Sequence, residues 1–282
     1  MKKIHEVSQS DYFARDEVSN SMMKDFRQCG AWTYFHKYVD SSLPETKVSD
    51  SMRIGSALHA MICDSHLDII AGKGESSIAI TPSFIGTGSN MENINLRKKD
   101  HRLYMDEWKK KHEGKIFINS EEFNQILGMK ASVSHNPATK EYIDRLTPDR
   151  SEVVATNKIK GVDCKAMCDA DFSDEGLIID FKTTRQHLGI EFARDAIFKF
   201  GYQYQAAHYC DVFEAERFIF IAIRNFPPYE SIAFEMPKHM IDQARLINYD
   251  TLERIKWCHN MNDWHTDGWG QVVDLGELIE NR

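Results

Sequence analysis

From Ser151 onward the chain alternates with a period of two. The stretches "EVVATNKIKG", "VDCKAMCDADF" and "GLIIDFKTT" are short β-branched or alternating runs, parted by glycine or acidic turns, as in a β-meander. A helical period follows through "ARDAIFKFGYQYQAAHYCDVFEA". "RFIFIAIRNF" and "ESIAFEMP" then read as two more strands, and an amphipathic helix runs from about Lys238 to Cys258, ahead of the tail "NMNDWHTDGWGQVVDLGELIENR". The first half is mostly helical. Ser19 or Asn20 caps a helix through "SMMKDFRQCGAWTYFHKYV", and Asp50 or Ser51 caps another through "MRIGSALHAMICDSH". Residues 71–95, rich in Gly, Ser and Thr, read as a loop or strand fragment. Two helices follow, over Leu96 to His112 and Ser120 to Arg145, the second interrupted at Pro137. The order of helices, three strands, helix, two strands and helix predicts an α/β or α+β layer with a helical amino-terminal region. Without an internal repeat or a long linker, residues 1–282 are read as a single domain, mostly helical over 1–150 and carrying the sheet core and C-terminal helix over 151–282.

Composition narrows the class. At 282 residues and 42% apolar, the chain can bury a sizeable core. No apolar run approaches the ~20 residues that cross a bilayer, and no apolar stretch follows the two amino-terminal lysines, so a cytoplasmic protein with no membrane partner is expected. Six cysteines stand without a C-x-x-C pair, which predicts reduced, mostly buried thiols. The net charge of -8 argues against a protein that coats nucleic acid. Locally the argument weakens, because residues 97–115 hold eight Lys or Arg against four Asp or Glu, a net of +4 that leaves -12 on the remainder. That stretch reads either as a solvated helix face or as a phosphate-contacting one.

The candidate chemistry lies at the end of the most hydrophobic strand. Leu177, Ile178 and Ile179 run straight into Asp180, Phe181 and Lys182. Asp169 closes the preceding strand, and a hairpin around residues 173–176 would bring its carboxylate near that of Asp180. Two such carboxylates repel unless a cation lies between them, and Mg²⁺ is the natural hard resident. Lys182, two residues after Asp180, shares its strand face and suits a role beside a metal-activated water or a phosphate. Taken alone, Asp180 and Lys182 read sooner as a plain surface ion pair at a strand end than as a reactive site. His59 stands on an otherwise apolar helix face, and Gln205 and Tyr209 stand four apart on one face of the helix after the acidic strands.

In this order, His59, Asp169, the D-x-K of Asp180 and Lys182, and the Q-x-x-x-Y of Gln205 and Tyr209 resemble the RecB-like branch of the PD-(D/E)xK nuclease superfamily, and within it the RecE exonucleases (exodeoxyribonuclease VIII). "GSALHAMI" looks like that family's G-x-x-x-H helix, "CKAMCDADF" like its first-aspartate strand and "DFKTT" like its D-x-K-T-T strand. The resemblance covers residues 19–209. It implies a central mixed β-sheet flanked by helices, with His59, Asp169, Asp180 and the main-chain carbonyl of Phe181 as metal ligands. Lys182 would activate the attacking water, and Gln205 and Tyr209 would orient the water or phosphate. The implied activity is Mg²⁺-dependent exonucleolytic hydrolysis of double-stranded DNA from its ends, with Mn²⁺ as a substitute ion, 5′ to 3′ polarity, a ring-shaped homo-oligomer (a tetramer in the RecE type) and a single-strand annealing recombinase as partner. Glu152 reads first as an exposed strand-start carboxylate and second as a reach to another metal.

Two departures are noted. Cys168 stands where the superfamily name calls for proline, and Asp180 replaces the commoner glutamate. Cys29 occupies the place of the upstream iron-sulfur ligand found in some RecB-like nucleases, but the C-terminal trio is missing, so no cluster is expected. Arg53, Thr183, Thr184 and Arg185 read either as phosphate contacts or as ordinary surface groups. Competing readings are a catalytically silent DNA-binding or annealing protein on the same scaffold, and a restriction-type endonuclease with the same metal site. A zinc hydrolase fits poorly, since the candidate ligands are chiefly oxygens and "WCHNMNDWH" lacks a tetrahedral spacing. The tail aromatics Trp257, Trp264 and Trp269 are expected to pack on the body.

Overall fold

The computed structural model describes every residue except 5–6, 8, 45–48, 64–76, 87–89, 266–268, 271 and 273–282. In chain order the elements are β1 (Lys2–Ile4), α1 (Gln9–Ala14), α2 (Asn20–Tyr34) with a π-helical turn Phe35–Val39, α3 (Asp50–Cys63), β2 (Ile78–Ile80), β3 (Phe84–Ile85) and β4 (Glu92–Asn93). Then come α4 (Lys99–Lys111), β5 (Ile116–Ile118), α5 (Ser120–His135), α6 (Pro137–Asp144), β6 (Ser151–Ile159), β7 (Val162–Phe172) and β8 (Leu177–Thr184). The last elements are α7 (Ile190–Phe198), α8 (Tyr202–Phe213), β9 (Arg217–Arg224), β10 (Ser231–Glu235) and α9 (Lys238–Met261). Among the described residues, no helix is long and apolar enough to cross a membrane.

Six strands form one mixed sheet in the order β1-β6-β7-β8-β9-β10. All neighbours are antiparallel except β8 and β9, which run parallel because α7 and α8 carry the chain back across the sheet between them. Two hydrophobic cores lie on opposite faces. On one, Ile178, Phe218, Phe220 and Ala222 meet α2, α7, α8 and α9; on the other, Ile179, Phe181, Ile219, Ile221 and Ile223 meet α3, α5 and α6. The alternation along β8 and β9 is therefore apolar on both sides, as expected of central strands covered by helices. At Asp180 and Lys182 the first face stops being apolar.

Several expectations need correction. The single helix expected over 193–215 is two helices, because Gly201 adopts φ 70°, a left-handed conformation, where an added Cβ would lie 3.0 Å from the Tyr204 ring. Pro137 does break the helix expected over 120–145, and it does so by opening a new one: the Asn136 side chain accepts from the Ala138 N–H and caps α6. The Gly/Ser-rich stretch contains β2, β3 and β4; its residues 71–76 and 87–89, like 64–66 of the expected α3 helix, lie outside the described residues. β1, α1 and β5 carried no legible period. Trp264 packs on the body, stacked 5.6 Å from Tyr34, but Trp257 stays 51% exposed, and Trp269 stacks only on surface rings and stays 63% exposed. All six cysteines are free thiols, and five of them are buried.

Helix α3 sits against the end of β8 at Gly55, where a Cβ would meet Thr183 Oγ1 at 3.3 Å. Gly55→Ala is expected to be near neutral, since up to ~1 kcal/mol of helix propensity offsets the tight contact. Gly55→Val should cost roughly 1–3 kcal/mol in urea unfolding by prying the helix off the strand. Equal stability for both variants would contradict that packing. His208, buried on α8 with its Nε2 facing the Lys165 carbonyl at 2.9 Å, has its pKa pulled down to about 4 by burial. An unfolded chain protonates this ring near 6.5, so between those values the unfolded state binds more protons. Stability is then lost as pH falls through that window, by up to about 3 kcal/mol. His208→Gln should flatten this acid limb in chemical denaturation at stepped pH, and an unchanged limb would contradict the assignment.

Candidate active site

The site forms where two strands part. The β7–β8 ladder runs Phe172↔Leu177, Asp171↔Ile178, Ala170↔Ile179 and goes no further. One step beyond, Asp169 and Asp180 stand opposite each other. Phe181 would offer its N–H and C=O to β7, but side chains take the place of that strand. Asp169 Oδ2 accepts from the Phe181 N–H at 2.6 Å, and His59 Nε2, from α3, donates to the Phe181 carbonyl at 3.0 Å. Buried main-chain groups must find partners, and here the side chains of Asp169 and His59 supply them.

Asp169 can turn inward because the pleat reverses at its position. Cys164, Ala166 and Cys168 enter one core, whereas Ala170 and Phe172 enter the other, although a regular strand would put all five on one face. Across the ladder, between the pairs Val153↔Cys168 and Ser151↔Ala170, Glu152 takes φ 49° and remains exposed.

His59 Nδ1 lies 3.1 Å from Asp169 Oδ1, so both ring nitrogens face oxygen acceptors and the ring is held as an imidazolium. Burial works to lower the His59 pKa, and the Asp169 carboxylate outweighs it, leaving the ring above its ordinary value. Asp169 feels the reciprocal effect: burial pushes it up, while His59 and then Lys182 hold it below the usual carboxylate range. Asp180 goes the other way, raised by burial and by Asp169 against the pull of Lys182. Lys182 Nζ lies 2.5 Å from Asp180 Oδ2 and 5.3 Å from the centre of the Tyr202 ring. Burial would lower its pKa, but Asp180, Tyr202 and Asp169 together keep it raised and charged. Two carboxylates and two cations thus balance in a largely buried pocket.

Gln205 donates to Asp180 Oδ1 at 2.7 Å from α8. Asp180 Oδ2 is buried and faces only the Lys182 ammonium, at 2.5 Å. The Asp180 and Asp169 carboxylates, the Phe181 carbonyl and the His59 imidazole form a donor set that fits a hard divalent cation. His59 touches Asp169 but not Asp180, and among the described residues no three His, Cys, Asp or Glu side chains already stand as a closed cation site. In the structure these donors bond instead to one another and to Lys182.

The other candidates separate. Tyr209 lies one turn beyond Gln205, against Phe218 and Phe213, and no hydrogen bond joins it to either aspartate among the described residues. Its pKa is pushed well up by burial and then by Tyr12, Asp180 and Asp169. Arg53 is spent on Glu122 at 2.6 Å and on the Phe117 carbonyl at 2.8 Å, which removes it from the phosphate contacts. Thr183 faces Gly55, Thr184 Oγ1 accepts from the Gln186 N–H, and Arg185 is exposed. Cys29 is exposed on α2. Sequence reasoning missed Tyr202, whose ring carries Lys182; its place three residues before Gln205, on the same helix face, was the available signal.

No curated protein matches the chain. The crystal structure of a "Putative exonuclease" from Eubacterium rectale superposes with a TM-score of 0.60 at 14% identity, covering 96% of each chain, which shows a common fold. A structure of SSO0001 aligns with a TM-score of only 0.28 at 17% identity, over 71% of this chain and 86% of its own, and carries no argument. A family model described as "PDDEXK-like domain of unknown function (DUF3799)" matches residues 19–268. Matched over most of its length, and with its paired aspartates and D-x-K lysine gathered at the parting of two strands, the chain belongs to the PDDEXK-like family DUF3799.

Proposed function

We infer that the protein is a divalent-metal-dependent nuclease that hydrolyses phosphodiester bonds of double-stranded DNA from its ends. The observation that carries this reading is the buried pair Asp169 and Asp180, brought together where β7 and β8 part, with the charged Lys182 against Asp180 Oδ2. His59, Asp169, Asp180 and the Phe181 carbonyl would hold the ion, with Mg²⁺ the expected one and Mn²⁺ its substitute. When bound, such an ion polarises the scissile phosphate and lowers the pKa of its water.

The chain's own groups do the rest. Lys182, fixed between Asp180 and the Tyr202 face, donates to the attacking water or to the phosphate oxygen that gains charge. Gln205 fixes the rotamer of Asp180 through its amide on Oδ1, so that an ion would compete only with Lys182 for Oδ2. Tyr209 backs this helix face. Burial keeps these charges strong, because little water screens them.

Action from DNA ends is supported by the likeness to the RecE exonucleases and by the name carried by the E. rectale protein. The same likeness supports 5′ to 3′ digestion, a 3′ single strand handed to an annealing recombinase, and a ring-shaped homo-oligomer, a tetramer in the RecE type.

End-labelled linear duplex and closed circular DNA should be incubated with the protein and Mg²⁺, with and without chelator. Linear duplex should be degraded only with the ion, and circles should persist. Asp180→Ala should abolish turnover and Lys182→Ala should cost about 10²–10³ in rate. Equal activity in all three proteins would end the assignment, and cleavage of circles would convert it to an endonuclease. Tyr202→Phe should retain activity, whereas Tyr202→Leu should lose roughly fivefold, about 1 kcal/mol of cation–π support. Equal rates for the two Tyr202 variants would remove the ring from the mechanism.

A further inference from the structure

Lys109, Lys110 and Lys111 close helix α4, and Lys115 follows the turn after it. At or near the ends of other helices, three lysines find carboxylates: Lys140 pairs with Asp144, Lys199 with Asp195 and Lys238 with Asp242. Among the described residues, none of these four lysines has an ion pair. Lys109, Lys110 and Lys115 line an open recess of about 360 Å³ together with Glu113, Gly114 and Phe117. The helix dipole accounts for cations in the last turn, at typically 0.3–1 kcal/mol each near the surface. It does not account for Lys115, which lies outside the helix and adds to the mutual repulsion of the group. A net of +4 over residues 97–115, in a chain of net charge -8, is an electrostatic feature that an anionic polymer would neutralise.

The patch is braced to the active site. Trp108 of α4 packs 5.2 Å from the Phe117 ring of β5, and the carbonyl of the same Phe117 accepts from Arg53 of α3 at 2.8 Å. Arg53 precedes His59 by six residues on that helix, about 9 Å along its axis. Adding the two strand residues from Lys115 to Phe117 and the reach of Arg53 puts Lys115 on the order of 20 Å from the imidazole, less than one turn of duplex (~34 Å).

We propose that the unpaired lysines Lys109, Lys110, Lys111 and Lys115 form a phosphate-tracking face that grips the backbone of intact duplex DNA less than a turn away from the cutting site. The face is sequence-blind, since exposed ammoniums read charge and not base edges. It rests on the nuclease reading only for the presence of DNA. Its role is to hold the uncut duplex while the end lies at Asp180, and it supplies a basic track on an otherwise acidic protein.

The test is the salt dependence of binding to a fluorescent blunt duplex in chelator, read by anisotropy. Each duplex phosphate contact contributes about 0.9 to the slope of log affinity against log salt, so the K109Q/K110Q/K111Q/K115Q protein should lose about 3 to 4 from that slope. The matching arginine set, K109R/K110R/K111R/K115R, should keep it. A charge-matched control, K140Q/K158Q/K199Q/K238Q, removes lysines that are ion-paired in the structure and should leave the slope within about 1 of the parent. An unchanged slope in the first variant, an equal loss in the control, or equally salt-sensitive binding to anionic lipid vesicles would overturn the proposal. Loss of slope in a protein that never cuts duplex with any divalent ion would keep this face and sink the nuclease reading. Cutting with an unchanged slope would do the reverse.

Discussion

The structure depends on the separation of β7 from β8 after the pair Ala170↔Ile179. A strand that loses its neighbour exposes a donor and an acceptor, and leaving either unpaired in a buried place costs ~1–3 kcal/mol. Here the Phe181 N–H goes to Asp169 and the Phe181 carbonyl to His59. The groups that repair the sheet are the same groups that would hold a cation, so satisfying the fold assembles the chemistry. The same constraint accounts for the charged tip of an otherwise apolar strand: β8 leaves the shelter of β7 at the residue where carboxylate and ammonium begin.

Holding four charges in that place requires both cores. The parallel β8–β9 pair is apolar on both faces and forms a stiff platform, covered by α8 on one side and α3 on the other. From α8 come Tyr202 and Gln205, which fix Lys182 and Asp180. From α3 comes His59, and Gly55 one turn earlier lets that helix approach β8 closely enough for the imidazole to reach a main-chain carbonyl. Internal neutrality, two carboxylates against an imidazolium and an ammonium, makes the cluster tolerable without an ion. Replacing the imidazolium's proton with a divalent cation would leave one surplus positive charge, which a phosphate entering the site would offset.

The sheet core was legible because its strands are short, apolar and cleanly punctuated, and the abrupt change from Ile179 to Asp180 marked the site from a few residues. Gln205 was legible for its place on the next helix. His59 was not legible by period, since an imidazole on an apolar face looks the same whether it caps a core group or meets a partner 122 residues away. It stood out as a lone imidazole on an apolar face, and only the family resemblance gave it a role. The reversal of pleat at Asp169 left no mark, because the run from Cys164 to Phe172 keeps an unbroken period of two in sequence while changing faces in space. The break at Gly201 was missed because the amphipathic period on each side masks a single left-handed residue, and β1 and β5 were missed because three-residue strands are too short to show a period.

The central claim is that His59, Asp169 and Asp180 converge on one divalent ion. It is tested most directly by titrating Mn²⁺ into the protein while following the imidazole resonances of His59, assigned from a His59→Gln variant. The account predicts one saturable ion per chain that selectively broadens the His59 signals, and loss of that broadening at the same ion concentration in Asp180→Asn. Binding that leaves His59 untouched, or that is unaltered by Asp180→Asn, would contradict it.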